Sequence, residues 1–126
     1  MKSPLKLLSN NGYIQTNKLL CRLLGVYEAI LIGEFVAEYE YYESKGMLLE
    51  DDSFFSTIEN VEHNTSLNEF TQRKAIKHLC EQGILKVKRK GIPAKRYIYI
   101  NQKRLEEIII NESLTPSSLK IQELDH

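Results

Sequence analysis

Residues 68–101 read NEFTQRKAIKHLCEQGILKVKRKGIPAKRYIYIN, and this stretch decides the fold. Asn68 is a good helix N-cap, and Gly83 supplies the left-handed stop fifteen residues later. Between them Ala75, Ile76 and Leu79, with Leu67 just before the cap, fall on one stripe, while Thr71, Arg73, Lys74 and Lys77 face the other way. The spacing therefore predicts an amphipathic helix over 68–82. After Gly83, Ile84, Leu85 and Val87 alternate imperfectly with Lys86 and Lys88, and Tyr97-Ile98-Tyr99-Ile100 gives a second strand. The segment 90–95, KGIPAK, is short and bent by Gly and Pro, as a hairpin tip requires.

Working outward, the helix before this one completes a motif. Ser56-Thr57-Ile58-Glu59 has the form of a capping box, with Ser56 at the N-cap and Glu59 reaching back. The helix it opens buries Ile58 and Val61 and is expected to end near Asn64. Thr65-Ser66-Leu67 then makes the turn. Two short helices, a turn of three to four residues and a basic outer face on the second are the helix-turn-helix pattern, here followed by a β-hairpin wing. The fold class expected is α+β, a mainly helical winged helix-turn-helix with a small antiparallel sheet and extra N- and C-terminal helices.

Charge distribution points the same way. The chain has 17 Lys/Arg and 17 Asp/Glu, so its formal charge is zero. From Arg73 to Arg104, however, eleven bases (73, 74, 77, 86, 88, 89, 90, 95, 96, 103 and 104) accompany a single acid, Glu81. The remainder carries six bases against sixteen acids. Lysines on strands often serve only to keep an edge soluble. A cationic helix and hairpin with the acids segregated elsewhere is instead the footprint of a surface that meets a polyanion.

The rest of the chain reads as support. Residues 1–12 look irregular, with Pro4 and the turn-forming Asn10-Asn11-Gly12. Thr16 or Asn17 caps a short helix through Leu24, and Gly25 stops it. A long helix is expected over 27–43, with Leu31, Phe35 and Tyr42 near one line and Ile32, Val36 and Tyr39 beside it. It has no base between Arg22 and Lys45, so it is expected to face away from a polyanion, with Tyr39, Tyr41 and Tyr42 at the core rim. Met47–Leu49 can form a short strand, and Asp51-Asp52 suggests a turn leading Phe54-Phe55 into a buried strand or a helix start. Asn101 caps a further helix with Leu105, Ile108 and Ile109 apolar, and Thr115-Pro116 could open a last turn. The domain boundaries expected are an irregular segment 1–12, a winged-helix domain 13–112 and a tail 113–126.

Several function classes find no support in the residues. No apolar run approaches the roughly 18–20 residues that span a bilayer, and the N-terminal segment has no secretory h-region, so a cytoplasmic location is expected. Cys21 and Cys80 form no C-x-x-C pair and are expected to be reduced and structural. His63 and His78 lie in separate elements without ligand-spaced partners, so no metal or other cofactor is expected. No nucleophile elbow, phosphate-binding glycine loop or H-E-x-x-H occurs, and neither an enzyme nor a small-molecule substrate is expected.

The run 71–101, TQRKAIKHLCEQGILKVKRKGIPAKRYIYIN, resembles the winged-helix domain of phage and plasmid replisome organisers and replication initiators, the DnaD-type family. So does NKLLCRLLGVYEAILIGEF, which begins at Asn17. The resemblance covers about residues 13–101 and is most specific at QRKAI (72–76) and GIPAKRY (91–97). It implies DNA binding in replication initiation or replisome assembly on a mobile element, sometimes with self-association. Gln72, Arg73, Lys74 and Lys77 match its recognition-helix positions, and Lys95 and Arg96 its wing. On the residues themselves, Asn68, Thr71, Arg73 or Lys74 is expected to reach base edges. Lys77, Lys88, Arg89, Lys90, Lys95 and Arg96 are expected to contact phosphates. Glu69 would either accept from a cytosine amino group or require a slanted helix. A homodimer or a replication protein is the partner expected for helix 27–43 or the tail 105–124. A regulator of transcription, or a scaffold of the same fold, is the alternative role.

Overall fold

The computed structural model describes residues 12–113. Their order is α1 (Lys18–Leu24), α2 (Val26–Ser44), β1 (Phe54–Phe55), α3 (Ile58–Thr65), α4 (Glu69–Glu81), β2 (Leu85–Lys90), β3 (Lys95–Ile100) and α5 (Gln102–Ser113). Asn17 caps α1 by accepting from Leu20 N at 3.0 Å, which decides between the two expected caps. Gly25 both ends α1 and starts α2 at φ 112°, a conformation closed to ordinary L-residues. The expected helix 27–43 is therefore one residue longer at each end.

α2 is the central element. Ala29, Leu31, Ile32 and Phe35 are buried, and Val36, Tyr39 and Tyr42 are half-buried against the same core. Leu20 and Leu24 of α1, Val61 of α3, Ala75, Ile76 and Leu79 of α4, and Leu85, Ile98 and Ile100 of the sheet complete it. Phe54 stands at the centre, with its ring 6.2 Å from that of Phe35, 6.4 Å from Tyr39 and 6.2 Å from Tyr42. Tyr39 and Tyr42 thus form the core rim as expected, while Tyr41 remains exposed. Cys21 and Cys80 are both free and half-buried.

The sheet is antiparallel with order β1-β3-β2. Phe54 pairs with Ile98, and the hairpin runs from Leu85 opposite Ile100 to Lys90 opposite Lys95. Met47–Leu49 forms no strand. Leu49 N donates instead to Ser53 O at 2.9 Å and closes a turn through Asp51 and Asp52, which leaves Phe54-Phe55 to enter the sheet.

The helix-turn-helix forms with one correction at its start. The cap of α3 is Thr57, whose Oγ1 accepts from Asn60 N at 3.1 Å; Ser56 is buried one residue earlier, so Glu59 falls at the second helical position and the expected Ser56–Glu59 capping box gives way to a simple Thr cap. α3 ends at Thr65, whose hydroxyl donates to Val61 O at 2.7 Å and accepts from Leu67 N at 3.2 Å. Ser66 turns the chain at φ 63°. Asn68 then caps α4 by accepting from Thr71 N at 2.9 Å. After the hairpin, Asn101 accepts from Arg104 N at 3.1 Å and caps α5. Arg104 Nε donates to Gln82 O at 2.9 Å, satisfying a carbonyl left open beyond α4. The whole is the α+β winged helix-turn-helix expected. Among the described residues, no helix is long and apolar enough to cross a membrane. The expected turn at Thr115-Pro116 and the irregular start at Pro4 and Asn10-Asn11 lie outside the described residues.

Candidate nucleic-acid interface

The amphipathicity of α4 sets its orientation. Gln72, Ala75, Ile76 and Leu79 are buried, and this leaves Phe70, Arg73, Lys74 and Lys77 on the outer surface, with Thr71 half-buried at the edge. Glu69 lies one turn before Arg73, 3.5 Å from its guanidinium, in an exposed ion pair of little energetic weight. Asn68 is exposed, but its Oδ1 is engaged by the cap, so its amide nitrogen is what remains for another acceptor.

Gln72 does not belong on that surface. Its side chain is wholly buried, and Nε2 donates to Ile58 O at 3.1 Å and Leu67 O at 2.8 Å. It ties the turn to both helices, and this corrects its assignment to the recognition face. Its spacing of three, four and seven residues from Ala75, Ile76 and Leu79 puts it on the buried stripe; the family resemblance puts it on the recognition face.

In the hairpin, strand alternation sorts what the sequence presents as one cationic run. Lys86, Lys88 and Lys90 pair with Tyr99, Tyr97 and Lys95 on one face, while Arg89 pairs with Arg96 on the other. Lys86 Nζ lies 5.9 Å from the centre of the Tyr99 ring and Lys95 Nζ 5.6 Å from that of Phe55, so both ammonium groups lie over aromatic rings. Arg89, Lys90 and Lys95 are exposed. Lys88 is half-buried in an ion pair with Asp51.

Arg96 is the second correction. It is only 6% exposed; Nε donates to Ser56 O at 3.1 Å, and a terminal nitrogen lies 3.4 Å from Ser56 Oγ. Its guanidinium also sits 6.0 Å from the Phe35 ring centre. Burial lowers its pKa; the Glu38 charge opposes this, and the positive charges of Arg89 and Arg73 add to the lowering. That last pair locates the surface: a residue of the wing and a residue of α4 both act on one buried guanidinium. A groove of about 240 Å3 between the start of α3 and the wing is lined by Glu59, Arg89, Lys95 and Arg96.

On the far side of α4, the first turn of α2 comes close rather than staying clear. His78 Nδ1 is 2.7 Å from Glu28 Oε2, so this histidine of α4 has a carboxylate partner on α2. Tyr27 and Glu28 share a shallow groove with Phe70, Thr71 and Lys74. No local pattern signals this contact, because the two residues of the pair are fifty apart. Behind the sheet, Glu38 is pushed up to about 8 by burial and then by its hydrogen bond to Glu34, with Ser56 and Arg96 opposing the rise.

No protein-family model matches the chain, and no curated protein matches it in sequence. Among solved structures it is similar to an N-terminal domain of a DNA binding protein, with a TM-score of 0.57 and 16% identity over 92% of this chain and 98% of that one. At that identity the likeness is one of fold.

Proposed function

We propose that this chain binds double-stranded DNA in a sequence-specific way, with the N-terminal half of α4 in the major groove and the β2–β3 wing along the phosphates. The observation that carries the reading is the convergence of exposed cations from two elements: Arg73, Lys74 and Lys77 on α4, and Arg89, Lys90 and Lys95 on the wing. Arg73 and Arg89 both act electrostatically on Arg96, which supports placing one member of each set near the other. The structural neighbour, described as part of a DNA binding protein, supports the same reading. The resemblance to replisome organisers extends it to replication initiation on a mobile element.

Each part has a distinct task. Arg73 has the donor pair suited to guanine O6 and N7, and Thr71 can meet a base edge beside it. Lys77, Arg89, Lys90 and Lys95 fix the register by neutralising phosphates. With these four phosphates neutralised, log affinity falls against log salt with a slope of about −3.6.

The test is duplex binding by the whole chain at several salt concentrations. Arg73→Ala is expected to relax base preference at a cost of ~1–3 kcal/mol, whereas Lys90→Ala weakens all sequences alike. Equal, sequence-blind losses from both would mean that α4 does not read bases. DNA selected from a random pool separates the roles, since direct repeats indicate an initiator and a palindrome indicates a dimeric transcriptional regulator. One feature favours an added scaffold role: a groove of about 520 Å3 between α2 and α5, lined by Val36, Tyr39, Leu105 and Ile109 together with Glu40, Glu43 and Glu106, suits a second copy or a replication protein. A dimeric mass without duplex retention at low salt would favour that role over DNA binding.

A further inference from the structure

We infer that Phe70 is a specificity-determining residue that reads a thymine through its C5-methyl group, an assignment that rests on the DNA-binding reading above. Phe70 is 74% exposed. It lies in the first turn of α4, opposite the buried stripe of Gln72, Ala75, Ile76 and Leu79, with Lys74 and Lys77 following at four and seven residues along the same line. A large ring at the middle of a helix's solvent face adds little to the core, and here it stands where the helix would enter the groove.

The other candidates for base contact narrow the choice. Gln72 is buried and the Asn68 oxygen is engaged in the cap, which leaves Phe70 beside Thr71 and Arg73 at the start of α4. A phenyl ring neither donates nor accepts a conventional hydrogen bond, so against guanine, cytosine or adenine edges it would cover polar atoms without replacing their water. Thymine alone offers the major groove an apolar group, its methyl, beside the O4 acceptor. Phe70 and Lys74, one turn apart on a shared groove of about 320 Å3 that Tyr27 also lines, supply an apolar contact and a donor in the matching arrangement.

The experiment uses the full chain and the duplex selected from a random pool, with each thymine replaced in turn by uracil. Uracil pairs identically and lacks only the methyl. Wild type is expected to weaken about fourfold at one position, the effect of leaving roughly one methyl uncovered. Phe70→Ala should bind thymine and uracil duplexes equally, near the level of wild type on uracil, with an unchanged salt slope because no charge is altered. Phe70→Leu should keep part of the preference. The inference falls if wild type tolerates uracil everywhere, if the selected site holds no thymine, or if Phe70→Ala retains the thymine preference. In those cases duplex binding with its salt slope persists, and only the role of Phe70 is lost. Absence of duplex binding by wild type at low salt overturns the DNA-binding reading as well.

Discussion

The carboxamide of Gln72 joins Ile58 O and Leu67 O inside the turn, while the next side chain, Arg73, stands in solvent beside Glu69. One residue of helical rotation, 100°, separates a structural hydrogen bond from a candidate base contact. Gln72→Ala leaves one buried and one part-buried carbonyl without that donor and is expected to cost ~1–3 kcal/mol of stability, read as a lower urea midpoint with unchanged slope. Arg73→Ala should stay within about 0.5 kcal/mol in the same measurement. Lys88 illustrates a third situation, a wing cation held by an acid from the β1 turn. Asp51→Asn frees it while keeping an oxygen for Ser53 N and Oγ. If Lys88 then reaches a phosphate, the salt slope of duplex binding steepens by about 0.9; an unchanged slope would place Lys88 off the DNA path.

Among the elements, α4 and α2 differ in what their faces do. α4 depends on its N-cap, since the Asn68 side chain meets one of the donors left open by the first turn. Asn68→Ala should cost about 1 kcal/mol and loosen the turn that carries Phe70 and Arg73, which circular dichroism and duplex affinity would register together. α2 carries its own sensitivity in Glu38, which faces Glu34 on the same helix, Ser56 on the strand side and Arg96 on β3. Its folded pKa of about 8 lies above the 4.5 of an ordinary glutamate, so between those values the folded state holds a proton that the unfolded chain has released. The stability this proton confers is complete below about pH 4.5 and is lost as pH rises towards 8. Urea unfolding at pH 5.5 and pH 8 is therefore expected to show a lower midpoint at the higher pH, and Glu38→Gln should flatten that difference. An equal pH dependence in wild type and variant would assign the effect to other groups.

At the scale of the whole molecule, one aromatic joins sheet to helices. Phe54 is wholly buried, between Phe35, Tyr39 and Tyr42 of α2 and Ile98 of β3. Phe54→Ala is expected to cost ~3–5 kcal/mol, enough to unfold a marginal domain of this size. Much of this arrangement was legible in the chain. The two helix stops at Gly25 and Gly83, the caps at Asn68 and Asn101, the hairpin over 84–100 and the basic segment are local signals, and each was found where expected. Three features were not legible. Ser56 and Thr57 are equally good caps, and burial of Ser56 beside Arg96 decided between them. Met47–Leu49 and Phe54-Phe55 are both short apolar runs, and only pairing with β3 tells which is the strand. The pair formed by Glu28 and His78 joins residues whose contact no pattern announces.

By itself, the sequence determined the order of the elements, their periodicity and the positive charge of α4, β2 and β3, because caps, stripes and charge counts act over a few residues. Tertiary structure decided which cations are available. Arg96 and Gln72 sit among Lys and Arg in the chain, yet the packing of β3 against α2, and of α4 against the turn, draws both inside. The physical reason is that local pattern sets which way a side chain points, whereas its exposure depends on what the rest of the fold puts in front of it.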